Sequence, residues 1–178
     1  MSNNPQIAAR FEDLFDTLDT DGDQAVTWAD YQRLVNRYLT GYGMEASAPR
    51  AVAIQEAYES LWGTLVRTSA EVRLNREQFV DAMREATEDR SRWNTAEAVA
   101  EAVFDLLDGD ADGTISQEEF LVYAKALGAR EEDALQRFAH VDTDGDGDMS
   151  REEFVQSARL YLFGDDVDSP GGFVFGVV

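Results

Sequence analysis

Apolar residues recur along the chain at helical spacing, in paired runs separated by polar intervals of constant length. Phe11, Leu14, Phe15 and Leu18 stand at i, i+3, i+4 and i+7, one face of a helix, and Tyr31, Leu34, Val35 and Tyr38 repeat that face after the interval 19–30. Tyr58, Leu61, Trp62, Leu65 and Val66 precede the interval 67–78, and Phe79 and Met83 follow it. Val99, Val103, Phe104 and Leu107 precede 108–119, with Phe120, Val122 and Tyr123 beyond it. Leu135, Phe138 and Val141 precede 142–153, with Phe154, Ala158 and Leu162 beyond. The pattern predicts an all-α chain of four helix–loop–helix units.

The intervals share internal landmarks. Their eighth positions are Val26, Leu74, Ile115 and Met149, single apolar residues suited to a short strand that pairs with its counterpart in a neighbouring loop. Their ninth positions, Thr27, Asn75, Ser116 and Ser150, are good helix N-caps, and Asp30, Gln78, Glu119 and Glu153 stand three residues on, the spacing of a capping box. Breaks at 41–49 and 87–94 divide the chain into an N-terminal pair of units, 1–86, and a C-terminal pair, 95–163. The expected architecture is two paired lobes packed compactly, with short β pairing between loops. A tail, 164–178, carries Phe173, Val174, Phe175, Val177 and Val178; left exposed it would be adhesive, so it is expected to fold back over a lobe and fill its groove. Trp28, Trp62 and Trp93 are expected in the core or at interfaces.

Composition narrows the chemistry. Hydrophobic residues at 44% are enough for a folded core. The net charge of −21 disfavours nucleic acid and anionic membranes as partners. Without Cys there is no thiol catalysis, disulfide or thiolate metal site. The first ten residues lack the basic and apolar stretches of a signal peptide, and no apolar run reaches the ~18 residues a membrane span needs, so a cytoplasmic monomer is expected. The one histidine, His140, stands two residues before Asp142 and reads as a helix residue; no enzyme activity is expected.

The acidic residues are arrayed, not scattered. Ca²⁺ takes six to eight oxygens, which a loop of about twelve residues supplies from positions one, three and five, the carbonyl of seven, often a water at nine, and a bidentate Glu at twelve. Position six turns with positive φ, which favours Gly. The loop 108–119 offers Asp108, Asp110, Asp112, the carbonyl of Thr114, Ser116 at nine and Glu119, with Gly113 at six. The loop 142–153 offers Asp142, Asp144, Asp146, the carbonyl of Asp148, Ser150 at nine and Glu153, with Gly147 at six; Asp148 adds an outward charge. The loop 19–30 offers Asp19, Asp21, Asp23 and the carbonyl of Ala25, but places Gln24 at six and Asp30 at twelve. A left-handed turn at Gln24 costs roughly 1–2 kcal/mol. Asp30, one methylene short of Glu, narrows the preference for Ca²⁺ over Mg²⁺. The loop 67–78 begins with Arg67, a cation where an anion is needed, continues with Ser69 and Glu71, and ends at Gln78; it is expected to be structural. Three Ca²⁺ sites are therefore expected, with Mg²⁺ competing most at the first.

These residues resemble the EF-hand superfamily. The four-unit layout with an irregular second unit, and the tail Asp166-Val167-Asp168-Ser169-Pro170-Gly171-Gly172, are similar to the sarcoplasmic calcium-binding protein and calerythrin group. The resemblance implies a compact, cytosolic calcium-binding protein with paired loops. Buffer and sensor both stay open from the sequence: sensors favour adaptable Met-rich grooves, and this chain has four Met against ten Phe, which suits a fixed core and a buffer or signal modulator. The alternative is a sensor that exposes an apolar groove to a protein target whose identity the sequence leaves open.

Overall fold

The computed structural model describes residues 5–69, 72–88, 93–164 and 169–177. Expectations resting on Glu71, on the Ser69 and Trp93 side chains, on 165–168 and on Val178 lie outside the described residues.

Helices α1 (Pro5–Leu18) and α2 (Trp28–Tyr42) flank the first loop, and α3 (Pro49–Ser69) and α4 (Arg76–Glu88) the second. Helices α5 (Trp93–Leu107) and α6 (Gln117–Ala126) flank the third, and α7 (Glu131–Val141) and α8 (Arg151–Phe163) the fourth. The periodicity located the helices and understated their length. α1 starts at Pro5, whose fixed φ suits the first helical position, and the break at 87–94 is shortened because α4 runs on to Glu88 and α5 begins at Trp93.

The loops pair as their eighth positions suggested. β1 (Ala25–Val26) lies antiparallel to β2 (Leu74–Asn75) with Val26 opposite Leu74, and β3 (Thr114–Ser116) to β4 (Asp148–Ser150) with Ile115 opposite Met149. All four residues are fully buried. The two pairs of units are built alike. Arg76 ion-pairs with Asp16 and lies 4.8 Å from the centre of the Phe15 ring; Arg151 ion-pairs with Asp105 and lies 4.2 Å from that of Phe104. Phe15 meets Phe79 edge-on, as Phe104 meets Phe154.

One apolar core runs through both pairs. Where α2, α3 and α6 meet, three buried tyrosines hydrogen-bond: Tyr38 to Tyr58 at 3.1 Å, and Tyr123 to Tyr38 at 3.4 Å. Burial raises all three hydroxyl pKa values well above the ordinary tyrosine range, so they remain neutral donors. Arg10 of α1 ties the ends of the chain together. Its Nη1 donates to the carbonyls of Leu160, Tyr161 and Gly164 at 2.8–3.2 Å, placing a cation on the negative end of α8.

The tail was assigned no helix from sequence, but Pro170–Phe175 forms a 3₁₀ helix. Pro170 opens it, and Gly171 lets it lie on α8: a Cβ there would stand 1.9 Å from the Ser157 carbonyl oxygen. Phe173, Val174 and Phe175 are each no more than 2% exposed. The Phe173 ring sits edge-on to Phe120 and Phe154, with centroids at 5.1 and 5.4 Å. Buried carbonyls of this turn find partners among the tyrosines, Tyr123 donating to Phe173 O at 2.6 Å and Tyr58 to Val174 O at 3.3 Å.

Candidate metal centre

Each acidic loop starts where its incoming helix stops. The N–H groups of Asp19, Asp108 and Asp142 donate, each at 2.9 Å, to the carbonyls of Phe15, Phe104 and Phe138. That bond fixes the first carboxylate at the end of a packed helix. Its two oxygens then organise the loop backbone. Asp108 accepts from the N–H groups of Asp112 and Gly113 at 3.1 Å each, Asp19 from Asp23 and Gln24 at 3.0 Å each, and Asp142 from Gly145 and Gly147 at 2.8 and 3.0 Å. At position five, Asp23, Asp112 and Asp146 accept from the N–H of position seven, Ala25, Thr114 and Asp148, at 2.8–3.0 Å. Position seven is also where β1, β3 and β4 begin.

The twelfth residue closes the loop and caps the outgoing helix at once. Glu119 Oε2 accepts from the N–H and hydroxyl of Ser116 at 2.8 and 2.9 Å, while its Oε1 crosses the loop to the Gly109 N–H at 2.8 Å. Glu153 repeats the arrangement with Ser150 and with the Thr143 N–H at 2.8 Å. Burial opposes the charge on both, but these hydrogen bonds outweigh it: Glu119 is held below the ordinary glutamate range and Glu153 is lowered to about 2. Asp144 goes the other way. The Asp146 N–H favours its charge, yet burial and the carboxylates of Asp146, Glu153 and Asp142 prevail and raise it. Repulsion of this kind marks the anionic hole that a divalent cation would relieve.

Asp108, Asp110 and Glu119 bring carboxylate oxygens within 4.8 Å of one another, as do Asp142, Asp144 and Glu153, and Asp19, Asp21 and Asp23. In the third and fourth loops the donor set fits a hard divalent cation. In the first loop it fits only in part. Asp30 is not drawn into the cluster: its side chain is 3% exposed, its Oδ2 accepts from the Thr27 N–H and hydroxyl at 2.7 and 2.8 Å, and its Oδ1 is bound by Arg33. Arg33 also reaches Asp21 Oδ2 at 2.9 Å, and Arg73, at position seven of the second loop, reaches Asp23 Oδ2 at 2.9 Å. The Asp23 N–H and, after burial's opposing effect, the Arg33 charge lower the Asp21 pKa.

Neither arginine was singled out from sequence, although Arg33 follows Asp30 by three residues and so shares its helical face. The left-handed turn expected at Gln24 is present (φ 62°), and a second, unforeseen one falls at Ala111 (φ 61°), where the other two acidic loops have Gly22 and Gly145. In the second loop Asn75 and Gln78 keep a reciprocal capping pair, at 2.9 and 3.0 Å, without an acidic cluster among the described residues.

Among known proteins, calerythrin of Saccharopolyspora erythraea is 26% identical over 161 residues, covering 87% of this chain and 91% of its own. A calcium-binding protein of Streptomyces coelicolor, described in terms of prokaryotic calcium-mediated regulation, superposes with a TM-score of 0.73 at 28% identity, over 91% of this chain and 98% of its own. Berovin, a ctenophore photoprotein whose three Ca²⁺-binding loops bind magnesium, superposes with a TM-score of 0.70 at 26% identity, over 86% of each chain. Two family models described as an EF-hand domain pair match residues 63–127 and 97–159, together more than half of the chain, and the chain belongs to the EF-hand family.

Proposed function

We propose that this protein is a calcium-binding protein that takes up Ca²⁺ through its EF-hand loops and acts as a buffer or signal modulator in the cytoplasm, without catalysis of its own. The observation that carries the reading is the repeated lattice of the third and fourth loops, in which the carboxylates of positions one, three and twelve converge while their N–H partners fix each oxygen. Asp108, Asp110, Asp112, the Thr114 carbonyl and Glu119 would hold one ion. Asp142, Asp144, Asp146, the Asp148 carbonyl and Glu153 would hold another. Asp19, Asp21, Asp23 and the Ala25 carbonyl would hold a third, with Asp30 closing the loop. Like charges ~4 Å apart repel by about 1 kcal/mol in water and about 4 at an intermediate dielectric, so the bound cation both fills and stabilises each loop.

The buried tail supports buffer over sensor, because Phe173, Val174 and Phe175 already cover the apolar surface that a target helix would need. The magnesium-bound loops of berovin support competition by Mg²⁺. No helix among the described residues is long and apolar enough to cross a membrane.

Calorimetric titration of metal-stripped protein with Ca²⁺ is the test. Glu119→Gln and Glu153→Gln are each expected to remove one binding step, and excess chelator to lower the melting temperature of the wild type. Failure of the metal-stripped protein to bind would refute the reading. A rise in hydrophobic-dye fluorescence during the titration would refute the buffer role and favour the sensor.

A further inference from the structure

We propose that Arg33 is the resident cation of the first loop, and that a divalent ion enters this loop only by displacing it. The proposal rests on the ion-binding reading of the loops. Its basis is a geometric substitution. In the third and fourth loops, Oε1 of the twelfth residue spans the loop to the N–H of position two, Gly109 or Thr143. Asp30 is one methylene shorter, and its Oδ2 is spent on Thr27. The gap left between positions two, three and twelve is filled by the Arg33 guanidinium. Its Nε donates to Thr20 Oγ1 at 3.2 Å, and its Nη2 to Asp21 Oδ2 at 2.9 Å and to Asp30 Oδ1.

A second guanidinium completes the neutralisation. Arg73 donates to Asp23 Oδ2 at 2.9 Å and to the Asp23 carbonyl at 3.2 Å. The first loop thus sets two cations against the carboxylates of Asp19, Asp21, Asp23 and Asp30. No arginine or lysine ion-pairs with the ligand carboxylates of the third or fourth loop among the described residues. An ion arriving at the first loop meets less net negative charge and must first break the Arg33 contacts with Asp21 and Asp30. The Arg33 side chain is 40% exposed and stands on the surface of α2, so it can swing into water without disturbing the core. Arg33 therefore sets the selectivity among the sites: the third and fourth loops fill first, and the first responds only at higher ion concentration.

Terbium(III) titration tests this through luminescence excited by tryptophan, since Trp28 lies within the first loop itself. Trp28→Phe assigns the first-loop signal, and calorimetry follows the third and fourth loops in the same proteins. In the wild type the first-loop midpoint is expected to be at least about tenfold weaker than the others. Arg33→Gln should tighten it by about tenfold while leaving the other two loops unchanged, and Arg73→Gln should act in the same direction. Matching melting curves for wild type and variants establish that folding is intact. An unchanged first-loop midpoint in Arg33→Gln, with the other loops filling normally, overturns the proposal and leaves the EF-hand reading standing. Absence of ion uptake at every loop overturns both.

Discussion

Truncating Phe173 to Ala probes whether the tail is a structural cover. The ring is 1% exposed and packs edge-on against Phe120 of α6 and Phe154 of α8. Phe→Ala at a filled site of this kind removes about 3–5 kcal/mol, the lost transfer energy together with the cavity left behind. Part of that is the two aromatic pairs, each about 0.5–1.5 kcal/mol beyond area burial. For a chain of this length each kcal/mol shifts the melting temperature by about 2–4 °C, so a fall of about 6–20 °C is expected in the Ca²⁺-loaded protein. The backbone contacts that hold the turn, Tyr123 to Phe173 O and Tyr58 to Val174 O, do not involve the deleted ring. The tail should stay docked over a cavity, and hydrophobic-dye binding should rise only slightly. The assay is thermal unfolding with and without Ca²⁺, paired with dye fluorescence at 25 °C. A fall of less than about 2 °C would mean that the ring does not fill the core, and the tail could not then be the cover.

Ala111→Gly should stabilise the third loop. The left-handed φ of 61° costs an alanine roughly 1–2 kcal/mol, and glycine's greater unfolded-state freedom returns about 0.5–1 of that. The net gain of about 0.5–1 kcal/mol in folding stability corresponds to a melting temperature raised by about 1–4 °C. Thermal unfolding reads it, and a lowered melting temperature would show that position 111 is not strained. A pH dependence follows from Glu153, whose carboxyl is lowered to about 2 from an ordinary value of 4.5. A depressed carboxylate contributes stability above its unfolded pKa and loses it as pH falls through the folded one. Chelator-treated protein should therefore lose stability between about pH 4.5 and 2, and Glu153→Gln should flatten that stretch of the melting-temperature curve. Identical curves for variant and wild type would contradict the hydrogen-bonded role of this carboxylate.

The sequence carried the loops well because their chemistry is local. Asp108 to Glu119 contains its own ligands, turns and capping pair, and all of it folds within one helix–loop–helix unit. The eighth-position pairing was legible because one apolar residue in a polar loop has to find a partner. What escaped was set by tertiary contact. Arg73 reaches the first loop only through the β1–β2 pairing, and the side-chain length that leaves Asp30 to Arg33 differs from that of Glu119 by one methylene. The 3₁₀ turn at 170–175 escaped too, because Gly171 and Gly172 read as a loop until α8 is there to require a residue without a side chain.

The same contacts bear on whether ion binding could open the molecule. Freeing the tail would expose Phe173, Val174 and Phe175, each worth about 1.5–3 kcal/mol when fully buried, on the order of 5–9 kcal/mol together. The Phe173 and Val174 carbonyls would gain water, but the Tyr123 and Tyr58 hydroxyls would lose these acceptors and keep only Tyr38, at about 0.5–1.5 kcal/mol for each bond lost. A ligand shifts such an equilibrium only by its differential affinity, and about 5.5 kcal/mol already requires it to prefer the open form about 10⁴-fold. The third and fourth loops give the ions no means to that preference. Their carboxylates are arranged around N–H groups of the loop's own backbone, and the β pairs and capping residues that carry them are already formed with the tail in place. On the proposed reading, ions that find the ligands of the third and fourth loops preorganised in the closed form bind it without opening it, as a buffer would.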